Sequence, residues 1–435
     1  MFEWSETDLM IRDAVRGFIA KEIRPNLDAL ESGEITPYPI IRKLFAEFGI
    51  DAMSRDSVEK MLAKEQARAS GDAPRGDGGK DDDDEEGGSG DALSGRDSMM
   101  AVVISELAGA CMGLVSALGV SLGLGATTIA SRGTLAQKER WLPGIMTMEK
   151  VASWAITEPD SGSDAFGGMR TYVRRDGDDY ILNGRKTFIT NGPYADVMIV
   201  YAKLDEGSGG AGAGAVGSAA GAADKRDRKV LTFVLDARMP GLTQGPPFKK
   251  MGLHSSPTGE LFFDDVRVGR DRLLGGSETG RGGDGKESAR SSFTAERIGV
   301  ATMALGIIEE CRRLCIEYSR ERTLWGHEIG RFQLIQLKLA KMEVARMNVQ
   351  NMVFTSIERA RAGKPLSLAE ASAMKLYSSQ AATEVAMEAV QLLGGNGYMA
   401  EYRVEQLARD AKSLMIYAGS NEIQVTHIAK GLLAR

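Results

Sequence analysis

The sequence predicts an α+β protein in three parts: a helical N-terminal domain, a middle antiparallel β domain and a helical C-terminal bundle. Two observations carry this prediction. Apolar residues recur with helical spacing in residues 1–150, and again from about residue 291 to the C-terminus. Residues 151–270 instead show the spacing of two that is typical of strands. We therefore expect domains at residues 1–150, 151–270 and 271–435.

The N-terminal region reads as a series of helices. Its first helix starts with a capping box formed by Ser5 and Asp8. A later helix is expected to end near Pro143. Residues 107–130 carry no charge and are long enough to span a bilayer. Their content of Gly, Ala, Ser and Thr favours two tightly packed buried helices over a membrane span.

The middle and last parts have equally clear local signals. Residues 171–190 contain two strand-like runs around Asp176-Gly177, which predicts a β-hairpin. The runs DVMIVYAKL, VLTFVLDA and GELFFDDVRV are further strands. Three long amphipathic segments follow, and two of them end at glycine, as helices often do. Helices of this length favour a bundle.

Three stretches interrupt this plan. Residues 54–98 hold 13 acidic and seven basic residues, so they account for the whole formal net charge of −6. We expect an acidic, disordered insertion there, since its core, residues 70–95, has too few apolar side chains to fold. Residues 205–228 form a Gly/Ala-rich loop between strands, and residues 275–288 a third loop. We interpret all three as mobile surface segments, with a docking role as the alternative.

The composition excludes several classes of protein. A negative net charge argues against a nucleic-acid or anionic-membrane partner. Three cysteines and three histidines in no metal-ligand spacing predict neither a disulfide framework nor a metal site. The N-terminus is acidic and amphipathic, unlike a signal peptide, so a cytoplasmic location is expected.

Several motifs then occur in an informative order. WAITEPDSGSD (154–164) and NGRKTFITNG (183–192) resemble the two flavin-contacting segments of acyl-CoA dehydrogenases. QLLGGNGYMAEYRVEQLARDAKSLMIYAGSNEIQ (391–424) resembles the C-terminal signature of that family. The resemblance covers nearly the whole chain except the insertions. It implies FAD as cofactor, a barrel-like middle domain and a C-terminal four-helix bundle.

The resemblance also implies a set of cofactor contacts. A flavin needs flat apolar walls, donors for its ring edge, and amides or arginine for its pyrophosphate. Within one subunit these contacts would come from Trp154, Ile156, Thr157, Gly162, Ser163, Phe188, Ile189 and Thr190. Contacts to the flavin of a neighbouring subunit, or at its rim, would come from Arg322, Trp325, Gln333, Gln391, Gly395, Ser420 and Glu422. The family is most often tetrameric, so a homo-oligomer is expected.

The catalytic base is the point at which the sequence departs from most of the family. Most members have glutamate at the position of Ala418, and alanine transfers no proton. A minority, including isovaleryl-CoA and long-chain acyl-CoA dehydrogenases, place the base in an earlier helix, directly before an arginine. Glu296 and Arg297 match that pattern. Glu296 shares a helix face with the apolar Val300, so its pKa is expected to rise.

The sequence allows two other interpretations of its carboxylates. Glu296 could be an ordinary acidic residue in the first turn of a helix, where the helix dipole favours it. Glu422, four residues after Ala418, is the competing base and is expected to cap the last helix instead. The resemblance assigns the Ala418 amide to the thioester oxygen. It assigns substrate contacts to four further residues: Ser163, Arg297, Tyr417 and Gly419.

The sequence thus predicts FAD-dependent dehydrogenation of an acyl-CoA thioester to the trans-2-enoyl-CoA, with an electron-transfer flavoprotein as acceptor. An oxidase that uses oxygen and a non-catalytic flavin-binding subunit are the alternatives. The small residues of LGVSLGLGATTIA leave volume for a long or branched acyl chain. We expect medium-to-long straight chains. His254 is expected near the rim of the CoA channel, without a catalytic role.

Overall fold

The computed structural model describes residues 3–70, 90–206, 228–279 and 284–434. Before the sheet, the described residues form helices α1 (Glu6–Phe18), α2 (Leu27–Ser32), α3 (Tyr38–Glu47), α4 (Ile50–Ser70), α5 (Gly90–Gly119), α6 (Thr127–Arg132) and α7 (Leu135–Met146). The predicted capping box is confirmed, because Ser5 accepts from the Asp8 amide and Asp8 accepts from the Ser5 amide. Pro143 lies inside α7, so that helix runs about one turn beyond the predicted end.

Helix α4 differs from the expectation for residues 54–98. Residues 54–70 form most of this helix, and residues 90–98 begin α5, instead of belonging to a disordered insertion. The physical reason is Val58, whose side chain is buried in the same cluster as Trp141 of α7. Residues 71–89, with most of the acidic run, lie outside the described residues, as do residues 207–227 and 280–283 of the other two predicted loops.

Residues 97–132 are long and apolar enough to cross a membrane by length and composition alone. In the fold, 72% of the most apolar window is buried inside the protein. The segment is interrupted twice: Cys111 has non-helical backbone angles, and Val120–Ala126 is a π-helical turn. Both features are typical of a helix that adapts to its protein neighbours.

The middle domain is one curled sheet of seven strands: β1 (Ala152–Ala155), β2 (Tyr172–Asp176), β3 (Asp179–Thr190), β4 (Val197–Asp205), β5 (Val230–Asp236), β6 (Leu242–Gln244) and β7 (Thr258–Val268). The predicted hairpin is confirmed, since Asp176 pairs with Asp179. Most neighbours are antiparallel, but β4 pairs in parallel with both β1 and β2. After β1 the chain forms the β2–β3 hairpin and then crosses back, so that β4 lies between β1 and β2. Two parallel strands need such a crossover connection.

The C-terminal domain begins with α8 (Gly285–Glu321), earlier than the predicted residue 291 because Asp284 caps the helix at the Glu287 amide. It continues with a short ribbon, β8 (Thr323–Leu324) and β9 (His327–Glu328). The remaining helices are α9 (Gln333–Arg361), α10 (Leu368–Leu393), α11 (Val404–Ser413) and α12 (Asn421–Leu433). α8 packs extensively against α10 and α9, and α12 packs on α10, which forms the expected bundle.

Helices α5 and α8 cross at unusually short range. A Cβ atom on Gly306 would overlap the Ser105 carbonyl oxygen, and one on Gly109 would come within 2.8 Å of the Gly306 carbonyl oxygen. Just beyond the crossing, α5 kinks at Cys111, and Arg403 donates to the carbonyl oxygens of Gly109 and Ala110. The two glycines therefore allow α5 of the N-terminal domain to contact the backbone of α8, the helix that carries Glu296.

We predict that Gly306→Ala destabilises the protein, because the added methyl group must push α5 and α8 apart. Overpacking of this kind costs roughly 1–3 kcal/mol. Gly299→Ala is the matched control in the same helix, since a Cβ there meets nothing within 4 Å. That variant should be unchanged or more stable by up to about 1 kcal/mol. Urea unfolding of both variants tests this; equal stabilities would show that the crossing tolerates a side chain.

Candidate active site

Glu296 lies well inside α8, about three turns after its start at Gly285. A helix dipole acts within the first turn, so the reading of Glu296 as a residue favoured by the dipole does not apply. Val300 and Ile307 on the same face are fully buried. Burial raises the pKa of Glu296 to about 7, although Arg297 and Lys375 oppose the rise. Among the described residues, no donor forms a hydrogen bond to this carboxylate.

Arg297 points away from that face and is buried between helices. Its guanidinium donates to the Ser372 hydroxyl at 2.9 Å and lies 2.9 Å from Nδ1 of His427. It also stacks over the Phe293 ring at 5.6 Å. These contacts join α8 to α10 and α12. The structure therefore places Arg297 as a link between helices beside the site.

The loop between α11 and α12 carries the predicted thioester contacts. Ala418 and Gly419 both have positive φ, 56° and 79°, so the backbone turns sharply here. Within the described part of the chain, the Ala418 amide donates to no acceptor. The Tyr417 hydroxyl lies 3.9 Å from Sδ of Met303, which is two turns after Glu296 on the same face of α8. The loop thus presents a free main-chain donor beside the face that carries the carboxylate.

Two polar side chains hold this loop from behind. Lys375 of α10 donates to the Gly419 carbonyl oxygen at 2.9 Å and to Oδ1 of Asn421 at 3.0 Å. Gln424 of α12 donates to the carbonyl oxygens of Ala418 at 3.1 Å and Gly419 at 2.7 Å. Both side chains are fully buried. These bonds fix the carbonyl groups of Ala418 and Gly419, and so the backbone conformation of the loop.

The competing carboxylate, Glu422, has the opposite environment. It is exposed in the first turn of α12, next to Ser420 at the N-cap. A bond to its own amide and one to Ser420 lower the pKa of Glu422. A weakly basic, solvated carboxylate suits a helix start and makes a poor proton acceptor.

A main-chain hydrogen bond joins the two predicted flavin segments. The Thr187 amide at the end of β3 donates to the Thr157 carbonyl oxygen, just after β1, at 2.9 Å. Trp154 is half-buried and donates to the Tyr201 hydroxyl at 3.1 Å. Phe188 has a positive φ of 57° and exposes 66% of its surface. Such exposure is unusual for a phenylalanine in a well-packed strand and suits a wall for a flat ring.

The donors around these aromatic residues also fit a flavin. Among the described residues, neither the amide nor the hydroxyl of Thr157 makes a hydrogen bond, and the Ser163 and Thr190 hydroxyls make none. Gly162 and Ser163 are exposed, and a Cβ on Gly162 would meet nothing within 4 Å. Ile156 and Ile189 are buried behind the strands. Free donors beside an exposed ring are the combination that a flavin requires.

A buried ion pair supports these strands. Nζ of Lys186 lies 2.9 Å from Oε1 of Glu158 and 3.0 Å from the Ile156 carbonyl oxygen. Glu158 also accepts from the Arg170 and Thr171 amides. Burial lowers the pKa of Lys186 to about 8, against the attraction of Glu158. The pair therefore fixes the backbone between the two flavin segments.

The residues predicted to reach a neighbouring subunit share one end of the C-terminal bundle. Asn396 donates to the Tyr318 hydroxyl at 3.0 Å, which joins the turn after α10 to the last turn of α8. Trp325 is 81% exposed and packs edge-on against Phe332. Five residues of the prediction are exposed there: Arg322, Trp325, Gln333, Gln391 and Gly395.

Sequence reasoning missed the residues that hold the site together: Glu158, Lys186, Lys375, Gln424 and His427. One signal was available. Lys375 stands alone among small residues, Ala371, Ser372, Ser378 and Ser379, which are all buried on α10. A lysine at the helical spacing of a buried stripe indicates an internal cation. His254 lies 3.3 Å from Glu31 and 2.7 Å from the Lys250 carbonyl oxygen.

In the part of the chain that the structure describes, no group of three or more His, Cys, Asp and Glu side chains could hold a metal ion. The three cysteines are buried and free.

Known protein-family models match the chain over most of its length. Three family models match in chain order: the acyl-CoA dehydrogenase N-terminal domain at residues 81–149, the middle domain at 153–266 and the C-terminal domain at 283–433. The short-chain-specific acyl-CoA dehydrogenase of Megasphaera elsdenii is 36% identical over 348 residues, 80% of this chain and 84% of that protein.

Solved structures have the same architecture. Butyryl-CoA dehydrogenase from Megasphaera elsdenii matches with a TM-score of 0.79 and 30% identity over 100% of both chains. A chain from a structure described as the electron transferring flavoprotein of Acidaminococcus fermentans matches with a TM-score of 0.78 and 30% identity, again over 100% of both chains.

We predict that Lys186→Met destabilises the protein strongly, because it leaves the Glu158 carboxylate buried without its partner. Breaking a buried pair in this way costs about 3–5 kcal/mol. The double variant Lys186→Met/Glu158→Gln should recover part of that loss. Arg185→Met is the control, because Arg185 is the neighbour of Lys186 on β3 and forms an exposed ion pair with Glu260 of β7. Its loss should cost under about 1 kcal/mol. Urea unfolding measures all three; equal losses for Lys186→Met and Arg185→Met would contradict the assignment.

Proposed function

The chain belongs to the acyl-CoA dehydrogenase family, and we propose that it forms a trans-2,3 double bond in an acyl-CoA thioester with Glu296 as the base. It is an oxidoreductase of the acyl-CoA dehydrogenase type, and FAD is its cofactor. When bound, FAD accepts the hydrogen that leaves the β carbon as hydride. Trp154, Thr157 and Phe188 would hold its ring, and Ser163 would reach its phosphates.

The α proton is the part of the reaction that this chain's own side chains must remove. The α C–H bond of a thioester is only weakly acidic, so the base must be a carboxylate with little water around it. Glu296 meets this need, since burial raises its pKa to about 7 and no described donor bonds to it. Glu422 is exposed with a lowered pKa, so it does not. The contrast between these two carboxylates is the observation that carries the proposal.

The Ala418 amide would stabilise the negative charge that develops on the thioester oxygen. An amide without an internal acceptor, held in a fixed turn, costs little to reorganise during the reaction. Lys375 and Gln424 hold the carbonyl groups on the other side of the loop. Alanine at position 418 is therefore compatible with catalysis, because this position supplies its backbone while Glu296 supplies the carboxylate.

The electron acceptor is proposed to be an electron-transfer flavoprotein. The support is the likeness of the chain to one in a structure described as the electron transferring flavoprotein of Acidaminococcus fermentans. An oxidase that uses oxygen is the alternative, and rapid reoxidation of the reduced enzyme in air would favour it. A homotetramer is proposed as well, since Arg322, Trp325 and Gln391 are exposed where a partner's flavin would need them.

The acyl chain is proposed to lie along the end of α5 and the π-helical turn after it. Gly119 and Gly123 are exposed there, and a Cβ on either would meet nothing within 4 Å. Ser121 is buried and accepts from the Ala152 amide, which anchors this turn to β1. Open space beside two glycines leaves volume for a medium-to-long acyl chain.

We predict that Glu296→Gln binds acyl-CoA but loses flavin reduction. Anaerobic mixing with isovaleryl-, butyryl-, octanoyl- and palmitoyl-CoA, followed by the flavin absorbance, measures the reduction rate and identifies the substrate class. Removal of a general base costs about 10²- to 10⁴-fold in rate. The glutamine keeps the size of the side chain, so binding of the thioester should change little.

Glu422→Gln is the matched control, because it neutralises the competing carboxylate and leaves Glu296 in place. Its reduction rate should stay within a few-fold of wild type. If Glu422→Gln stops the reaction while Glu296→Gln does not, the base is Glu422 and the proposal fails. If wild type is reduced by no thioester of the panel, the proposed activity itself is wrong for these substrates.

A further inference from the structure

Lys375 is a buried cation whose neighbours do not explain it as an ion pair. Its side chain is fully buried in the middle of α10. Among the described residues, no carboxylate lies within 4.0 Å of its ammonium group, and its two acceptors, the Gly419 carbonyl and the Asn421 amide oxygen, are neutral. Burying a charge without a carboxylate partner is costly, and an apolar side chain would fit the same helix more cheaply. The cost of burying this charge therefore indicates that Lys375 has a role in the neighbouring site.

The contact with Gly419 supplies that reason. The Gly419 carbonyl oxygen accepts from Lys375 at 2.9 Å and from Gln424 at 2.7 Å, so this peptide group is held by two donors. The residue before it, Ala418, has a φ of 56°, a conformation that an alanine rarely adopts on its own. A non-glycine residue in this region costs of order 1–3 kcal/mol and persists only where its surroundings impose it. Lys375 and Gln424 are the groups that impose it.

The charge of Lys375 also faces the reacting region. Burial is the main cause that lowers its pKa, to about 8, followed by Arg297, while Glu296 and Glu422 oppose the effect. Its interaction with Glu296 is reciprocal, since Lys375 also lowers the pKa of that carboxylate. A cation behind the Ala418–Gly419 turn would favour negative charge on the other side of that turn, where the thioester oxygen would bind.

We propose that Lys375 is a positioning residue that holds the Ala418 amide in place as the donor to the thioester oxygen. This inference rests on the proposed function. Lys375 touches neither substrate nor base; it acts through the Gly419 carbonyl group. Its loss should weaken polarisation of the bound thioester even when the protein folds and binds FAD. A purely structural lysine would affect stability without that change.

The test uses the FAD-loaded protein and a conjugated thioester, 2,4-hexadienoyl-CoA, whose absorbance moves to longer wavelength when its carbonyl oxygen is polarised. Wild type should shift the absorbance of the bound probe, and Glu296→Gln should shift it equally, since the base takes no part. Lys375→Met should bind the probe but lose at least half of the shift. With the best acyl-CoA of the panel, its flavin reduction should slow by about 10- to 100-fold, with a smaller change in KM.

Ser378→Ala is the matched control, because Ser378 is buried one turn along α10 and, among the described residues, its hydroxyl bonds only to the Lys375 main-chain oxygen. It should keep the full shift and the full rate. If Lys375→Met does not fold, Gln424→Leu removes the other donor to Gly419 and should also reduce the shift. A full shift in the variant that folds overturns the inference.

The outcomes separate the inference from the proposed function. If wild type shifts the probe and is reduced by acyl-CoA while Lys375→Met keeps the full shift, only the role of Lys375 is wrong. If wild type neither shifts the probe nor is reduced by any thioester, the proposed function fails and the inference fails with it.

Discussion

The close crossing of α5 and α8 at Gly109 and Gly306 is the constraint on which the site depends. With no side chains between them, the two helices bring the N-terminal domain against the C-terminal bundle. This contact also sets the direction of α8, and so the place of Glu296 relative to the turn at Ala418. The kink of α5 at Cys111 then lets Ser255 of the middle domain approach, with its Oγ 3.2 Å from the sulfur. All three domains meet around this crossing.

Two buried lysines and one half-buried glutamate show how the fold compensates charged groups to different degrees. Lys186 is matched by Glu158 and serves to hold the flavin segments in place. Lys375 is matched only by neutral oxygens, and its charge lies behind the loop that would bind the thioester. Burial raises the pKa of Glu296 to about 7, and among the described residues no donor forms a hydrogen bond to its carboxylate. The least compensated group is the one proposed to take the proton.

Much of the fold could be predicted from the sequence because its signals are local. Residues close in sequence determine three of the predicted features. These are the capping box at Ser5, the hairpin at Asp176-Gly177 and the apolar helix face that carries Glu296 next to Arg297. The remainder depends on long-range packing. Residues 54–70 are helical because Val58 meets α7, and the parallel pairs of β4 follow from a chain path that no local pattern contains. The partners of Lys375 and Lys186 come from distant segments for the same reason.

The most direct test of Glu296 as the base is exchange of the substrate α hydrogen with solvent, because exchange requires proton removal but no hydride transfer. The FAD-loaded protein would be incubated anaerobically in D₂O with the acyl-CoA of highest affinity, and deuterium at the α carbon followed by mass spectrometry. The account predicts exchange that rises with pH through about 7, as Glu296 loses its proton, and an almost complete loss of exchange in Glu296→Gln. Exchange at the wild-type rate in Glu296→Gln would contradict it.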